Sequence, residues 1–282
     1  MAANFFFPII LFLSLSSCVY ERGEEPQLVS LTESEDFLKP SYLSYESSRI
    51  IPDLQISDDV NDTVWRYHVI VPLSFDDQPE KQYPVLYLLH GLDSGHTSWV
   101  NFGIKDIINF CLSDGMLPEM IIVMPQGGET YWVDGYKDNI KYETFFIEKF
   151  MPAVEENFRV DKKLKRNIAG FSMGGYGALK YAFSHPDLFG YCYAMSSPVN
   201  GKNTPETRPI IDIIKEILKG DLPYFSIDIG ISDKFFCDNK NFHDELDLLG
   251  IPHEYIVRDG GHDYEYWASG LNACLLRIGR LQ

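Results

Sequence analysis

The stretch Ile168-Ala169-Gly170-Phe171-Ser172-Met173-Gly174-Gly175 decides how this chain is read, because it sets a serine between glycines where a buried strand should turn into a helix. In such a nucleophile elbow the serine occupies a sharp turn. The backbone there runs so close to its neighbours that the flanking positions need Gly, and the side-chain oxygen stands clear of the sheet. The pattern Gly-x-Ser-x-Gly alone is weak: with Gly at about 7% of residues, it arises by chance in roughly one chain in ten of this length. Context strengthens it. Arg166-Asn167-Ile168-Ala169 reads as a strand end and residues 176–184 read as a helix. Gly174, Gly175 and Gly177 each cost about 1 kcal/mol in a helix relative to Ala. A helix that keeps three of them needs close packing on the sheet and a free amide at its start, which Met173 supplies.

An elbow of this kind is followed in the chain by an acid and then a histidine. Downstream of Ser172 lie His185, His243, His253 and His262, and of these His262 sits in a glycine-opened loop, Asp259-Gly260-Gly261-His262-Asp263, ahead of a helical pattern. His185 precedes a proline at a helix end, His243 falls inside a helical pattern at 239–249, and His253 stands at the entry to a strand. For the acid, Tyr224-Phe225-Ser226-Ile227-Asp228-Ile229-Gly230 reads as a strand with Ile231-Ser232-Asp233 just beyond its end. Ligand sites of parallel α/β sheets lie outside the carboxyl ends of the strands, so Asp233 is the candidate. Asp228 is expected in mid-strand, and Asp263 is too close along the chain to orient its neighbour.

These residue types depend on one another. A serine hydroxyl is a weak nucleophile at neutral pH, so an imidazole must take its proton and later return it to the leaving group. A carboxylate holds the imidazole in the right tautomer and stabilises its charged form. The developing oxyanion needs donors: the Met173 amide and, from the loop after the strand in Tyr83-Pro84-Val85-Leu86-Tyr87-Leu88-Leu89-His90-Gly91-Leu92, the Leu92 amide. His90 has no Cys, Asp or Glu at ligand spacing beside it, so a metal-ligand role is set aside.

With these residues in view, the chain resembles the esterase branch of the α/β-hydrolases, which includes feruloyl esterases, tributyrin esterases, S-formylglutathione hydrolases and mycolyltransferases. The resemblance runs over about residues 65–278 through Tyr-Pro-Val-Leu-Tyr-Leu-Leu-His-Gly, Ile121-Ile122-Val123-Met124-Pro125, Tyr142-Glu143-Thr144-Phe145-Phe146, the elbow, and Gly260-Gly261-His262-Asp263-Tyr264-Glu265-Tyr266-Trp267. It implies an α/β-hydrolase fold, a carboxylesterase activity, Ser172 as nucleophile, Asp233 as acid and His262 as base. One departure is visible: many relatives carry Leu-Tyr after the acid, whereas Lys234-Phe235-Phe236 follows it here.

Length and composition agree with one large domain, since 282 residues with 45% apolar side chains can bury a substantial core. Alternating apolar strands and amphipathic helices predict a mostly parallel central sheet with helices on both faces. Helical stripes are expected through Ile147, Phe150, Met151, Val154 and Phe158, and through Phe242, Leu246 and Leu249. Residues 200–223 interrupt this rhythm and read either as a lid or as an ordinary crossover helix. The catalytic domain is expected over 49–282, preceded by a signal peptide at 1–17 and a charged, Ser-rich tether at 18–48. The apolar core at 5–15 is too short for the roughly 20 residues of a spanning helix. Leu15-Ser16-Ser17-Cys18 resembles a bacterial lipobox, so Cys18 is expected to carry a lipid anchor, and the protein is expected to be exported, in the cell envelope or secreted. Cys111, Cys192, Cys237 and Cys274 each sit in an apolar element and are expected as buried thiols.

A net charge of −17 with no basic stripe argues against nucleic acid. The glycine spacing misses a dinucleotide fingerprint, and no P-loop or zinc motif is present, so no cofactor and no metal is expected. The expected partner is a small-molecule or carbohydrate-linked ester, with short-chain acyl, acetyl or feruloyl groups. Tyr131, Trp132 and Trp267 read either as an aromatic wall for it or as rim packing. The alternatives are an acyltransferase using the same residues and a catalytically silent surface-binding lipoprotein.

Overall fold

The computed structural model describes residues 46–218 and 220–281. Its centre is one eight-stranded sheet: β1 (Ser48–Asp58), β2 (Thr63–Pro72), β3 (Val85–Leu89), β4 (Ile121–Pro125), β5 (Arg166–Phe171), β6 (Phe189–Met195), β7 (Tyr224–Gly230) and β8 (Glu254–Arg258), in the order β1-β2-β4-β3-β5-β6-β7-β8. The β1–β2 hairpin pairs antiparallel with β4, and every pairing from β4 to β8 is parallel. Parallel strands covered on both faces read as continuous apolar runs. β3 is the clearest case, with Val85, Tyr87 and Leu89 in one core layer and Leu86 and Leu88 in the other. Each such side chain, removed from water, contributes about 1.5–3 kcal/mol.

Six helices of seven or more residues, among those described, cover the sheet. On the Leu86 face lie α1 (Ile104–Ser113) and the C-terminal α6 (Tyr264–Leu281). On the Tyr87 face lie α2 (Met151–Asn157), α3 (Met173–Ser184), α4 (Ile210–Ile217) and α5 (Phe236–Leu248). The stripe expected through Ile147 to Phe158 begins on a π-helical turn, Phe146–Phe150, before α2. Between the two readings of residues 200–223, the fold takes the crossover. Ile210, Ile213 and Ile214 of α4 are buried in the core, and Tyr176 of α3 holds the approach to it through bonds with the Arg208 carbonyl (3.0 Å) and amide (2.9 Å). Cys111, Cys192 and Cys274 are buried free thiols, and Cys237 is half-buried. The signal peptide, Cys18 and all but the last three residues of the tether fall outside the described residues, and Ser48 opens β1.

Candidate active site

The elbow forms because two backbones meet where no side chain fits. A Cβ on Gly174 would lie 2.4 Å from the Leu89 carbonyl oxygen, so only glycine lets the first turn of α3 press on the end of β3. Ser172 itself has φ 53° and ψ −120°, a region that costs a non-glycine residue about 1–3 kcal/mol. That strain is held by Ser172 N–H bonding the Met195 carbonyl (2.8 Å) and by Tyr176 N–H bonding the Ser172 carbonyl (3.1 Å). The result aims Oγ out of the sheet at the carboxyl ends of the strands.

Two later loops reach the same place. Ser172 Oγ lies 2.9 Å from His262 Nε2, and His262 Nδ1 lies 3.0 and 3.1 Å from the two Asp233 carboxylate oxygens. A carboxylate only accepts, so Nδ1 carries the proton and Nε2 presents its lone pair to the serine hydroxyl. Asp233 also accepts the Phe235 N–H at 2.8 Å. Burial raises the pKa of Asp233; hydrogen bonds from His262 and the Phe235 amide outweigh it and lower the pKa overall. Ser196 helps from a position short of full hydrogen-bond geometry. The Lys-Phe-Phe departure acquires a reason here, because the Phe235 ring packs edge-on against His262 at 5.2 Å. Asp228 and Asp263 are engaged elsewhere: Asp228 pairs with Arg258 inside the sheet, and Asp263 accepts the Tyr266 N–H at the start of α6.

The loop after β3 passes directly over the serine. A Cβ on Gly91 would meet Phe171 Cε2 at 2.6 Å and Ser172 Cβ at 3.3 Å, so this position too must lack a side chain. Among the described residues, the Leu92 amide has no hydrogen-bond acceptor, and the Met173 amide is one of the unbonded first-turn donors of α3. Sequence reasoning set aside a metal-ligand role for His90 and assigned it no other, whereas the fold makes it the fastener of this loop. Its Nδ1–H donates to the Gly91 carbonyl (2.7 Å), and its Nε2 accepts the Gly127 N–H (2.8 Å). Complete burial lowers its pKa to about 4, so it stays neutral and keeps both bonds. Gln126, also missed, accepts the His96 amide at 3.0 Å and holds the loop further on. The His-Gly pair was the only available signal.

Between the two readings of the aromatic residues, Trp132 and Trp267 fall on the side of packing. Trp132 is 0% exposed; its ring packs edge-on to His90 and Tyr142, and its Nε1–H donates to the His90 carbonyl. Trp267 is 7% exposed, stacked on Phe171 at 4.4 Å and set edge-on beneath His262 at 5.0 Å. Both rings support the machinery from behind, since a buried face cannot meet a ligand. Tyr131 is half-buried against Tyr136. A cavity of about 550 Å³ lies along the loop after β3, lined by Asp93, Ser94, Thr97, Ser98, Asn101 and Tyr264 among others. Phe102 on its wall contacts both Phe171, next to the serine, and Tyr264, two residues after His262.

Comparison with known proteins points to an esterase family. The family model described as "Putative esterase" matches residues 61–278. Esterase Rv1288 of Mycobacterium tuberculosis (strain H37Rv) is 39% identical over 232 residues, covering 64% of this chain and 49% of that protein. An endo-1,4-beta-xylanase/feruloyl esterase of Xylanibacter ruminicola is 29% identical over 195 residues, covering 67% of this chain and 25% of that protein. The chain thus spans half or less of the length of these relatives. A solved ferulic acid esterase superposes with a TM-score of 0.73 at 35% identity, covering 84% of this chain and all of that one.

Proposed function

The chain belongs to the esterase family of the α/β-hydrolase superfamily, and from that premise we propose that it is a carboxylesterase working through an acyl-enzyme on Ser172. The observation that carries this reading is the continuous relay from Ser172 Oγ through His262 to Asp233. His262 Nε2 takes the hydroxyl proton as Ser172 Oγ attacks the ester carbonyl, and Asp233 stabilises the imidazolium that forms. The Leu92 and Met173 amides bind the oxyanion. His262 then gives its proton to the leaving alcohol, and water repeats the cycle on the acyl-enzyme. The substrate class is a short-chain acyl, acetyl or feruloyl ester of a carbohydrate. Its support is the hydroxyl- and amide-lined cavity whose Phe102 wall touches Phe171, together with the likeness to feruloyl esterases.

The deciding experiment is Ser172→Ala assayed on p-nitrophenyl acetate, acetylated xylan and feruloyl-arabinose. The variant should lose about 10⁴-fold or more in kcat with unchanged thermal unfolding. Full activity in the purified variant would overturn the proposal. Export and a lipid on Cys18 belong to the same proposal and rest on Leu15-Ser16-Ser17-Cys18. Mass spectrometry of the mature N-terminus from a bacterial host should find an acylated Cys18, and an unmodified one would remove that part.

A further inference from the structure

A second cluster of chemically active side chains lies at the amino ends of the parallel strands, at the opposite end of the sheet from Ser172. His243 and Asp247 stand one turn apart on α5, and His253 immediately precedes β8. Their donor atoms lie within 4.8 Å of one another. His253 Nδ1 is 2.9 Å from the Ile251 carbonyl oxygen, which can only accept, so Nδ1 carries the proton and Nε2 holds a lone pair. That lone pair faces His243 Nδ1 at 2.7 Å, while His243 Nε2 lies 3.6 Å from an Asp247 carboxylate oxygen. Both nitrogens of His243 therefore face acceptors. A neutral imidazole has one proton and can satisfy one of them, which leaves a lone pair directed at either a lone pair or a carboxylate.

A cation resolves this mismatch, and we propose that His243, Asp247 and His253 form a binding site for a divalent transition-metal ion of the zinc type. Two imidazoles and one carboxylate suit zinc, nickel or copper better than magnesium or calcium. Tetrahedral zinc takes these donors at about 2.0–2.2 Å, with water completing the fourth position. The ion takes the lone pair of His253 Nε2, the Nδ1 lone pair of His243 and one carboxylate oxygen of Asp247, while the His243 proton passes from Nδ1 to Nε2, so both rings bind as neutral imidazoles. The His253 Nδ1–H bond to a carbonyl is the kind of support that orients a metal-binding histidine, and stacking of His243 on Tyr255 at 4.2 Å fixes the second ring. In the trio Asp53, His68 and His96, both nitrogens of His96 likewise face acceptors, Gln126 Oε1 at 3.0 Å and Asp53 Oδ1 at 3.1 Å, but the Nδ1 lone pair of His68 is taken. There His68 Nδ1 already accepts the Asp53 N–H at 2.9 Å, so its other nitrogen carries the proton. An ion at the first cluster ties the end of α5 to the start of β8 and is separate from ester hydrolysis.

The test titrates zinc chloride into the chelator-treated full chain by calorimetry and follows thermal unfolding with and without the ion. The wild type should bind one equivalent at micromolar or tighter affinity, and its Tm should rise with zinc and not with magnesium. His253→Ala should lose that equivalent, and Asp247→Asn, at an exposed helix position, should weaken it about tenfold or more while folding normally. His96→Ala should bind as the wild type does. No wild-type binding below millimolar zinc overturns the proposal. So does binding that survives in both His253→Ala and Asp247→Asn, or binding lost in His96→Ala.

Discussion

Asp228 and Asp233 stand five residues apart, both buried, yet they are built for opposite ends. Asp228 lies within β7, with Arg258 Nε and Nη2 donating to it at 3.0 and 2.8 Å and the hydroxyls of Tyr193 and Tyr266 also bonded to it. Its partner cation is permanent and its oxygens are saturated. Asp233 lies beyond the strand and faces a histidine whose other nitrogen is open to Ser172. A buried carboxylate held by arginine and two phenols locks the sheet to the base of α6. One held by an imidazole leaves a proton free to move. What separates the two is the partner, since both carboxylates are removed from water.

The sharpest way to break this contrast is to neutralise each acid without changing its shape. Asp233→Asn should lower kcat by about 10³- to 10⁴-fold with little change in unfolding, because the imidazole loses its tautomer and charge stabilisation. Asp228→Asn should do the reverse. Removing one member of a buried pair strands the other, so urea unfolding should report a loss of about 3–5 kcal/mol while kcat per folded molecule stays within a few-fold. Equal effects of both substitutions on both quantities would abolish the distinction.

His90 extends the comparison to a buried group with no charged partner. Its folded pKa of about 4 lies below the ordinary histidine value of about 6.5, so the unfolded chain binds more protons between those limits. The stability from its neutral ring is complete above about pH 6.5 and is lost as pH falls toward 4, amounting to about 3 kcal/mol. Urea unfolding across this range should show a shallower pH slope for His90→Gln than for the wild type, and matching slopes would contradict the assignment. The smallest effect belongs to the cavity rim. Asn101→Ala should raise KM about fivefold for sugar esters, the loss of one hydrogen bond of about 1 kcal/mol, and leave p-nitrophenyl acetate unaffected.

Much of the frame could be read from the chain because its signals are local. Glycines at 170 and 174 announce a close backbone approach, and apolar runs such as 85–89 announce strands buried on both faces. The order of serine, acid and histidine selected three residues that the fold holds within hydrogen-bond reach. The aromatic residues were left undecided between substrate wall and packing for the complementary reason. Trp132 and Trp267 sit near motif residues in sequence, but which face of a ring is covered depends on Phe171, His90 and Tyr142, which arrive from other strands and loops.

The sequence by itself therefore determined the alternation of strand and helix, the glycine-lined elbow and the small set of residues able to act there. Periodicity and backbone sterics are properties of a few adjacent residues. Only the tertiary structure decided that His90 fastens the loop over Ser172, that Asp228 belongs to Arg258, and that residues 200–223 cross over the sheet. Those outcomes depend on which distant groups share a desolvated space. There an unpaired charge or an unmet hydrogen bond costs several kcal/mol, and each buried polar group is held by the partner that meets it.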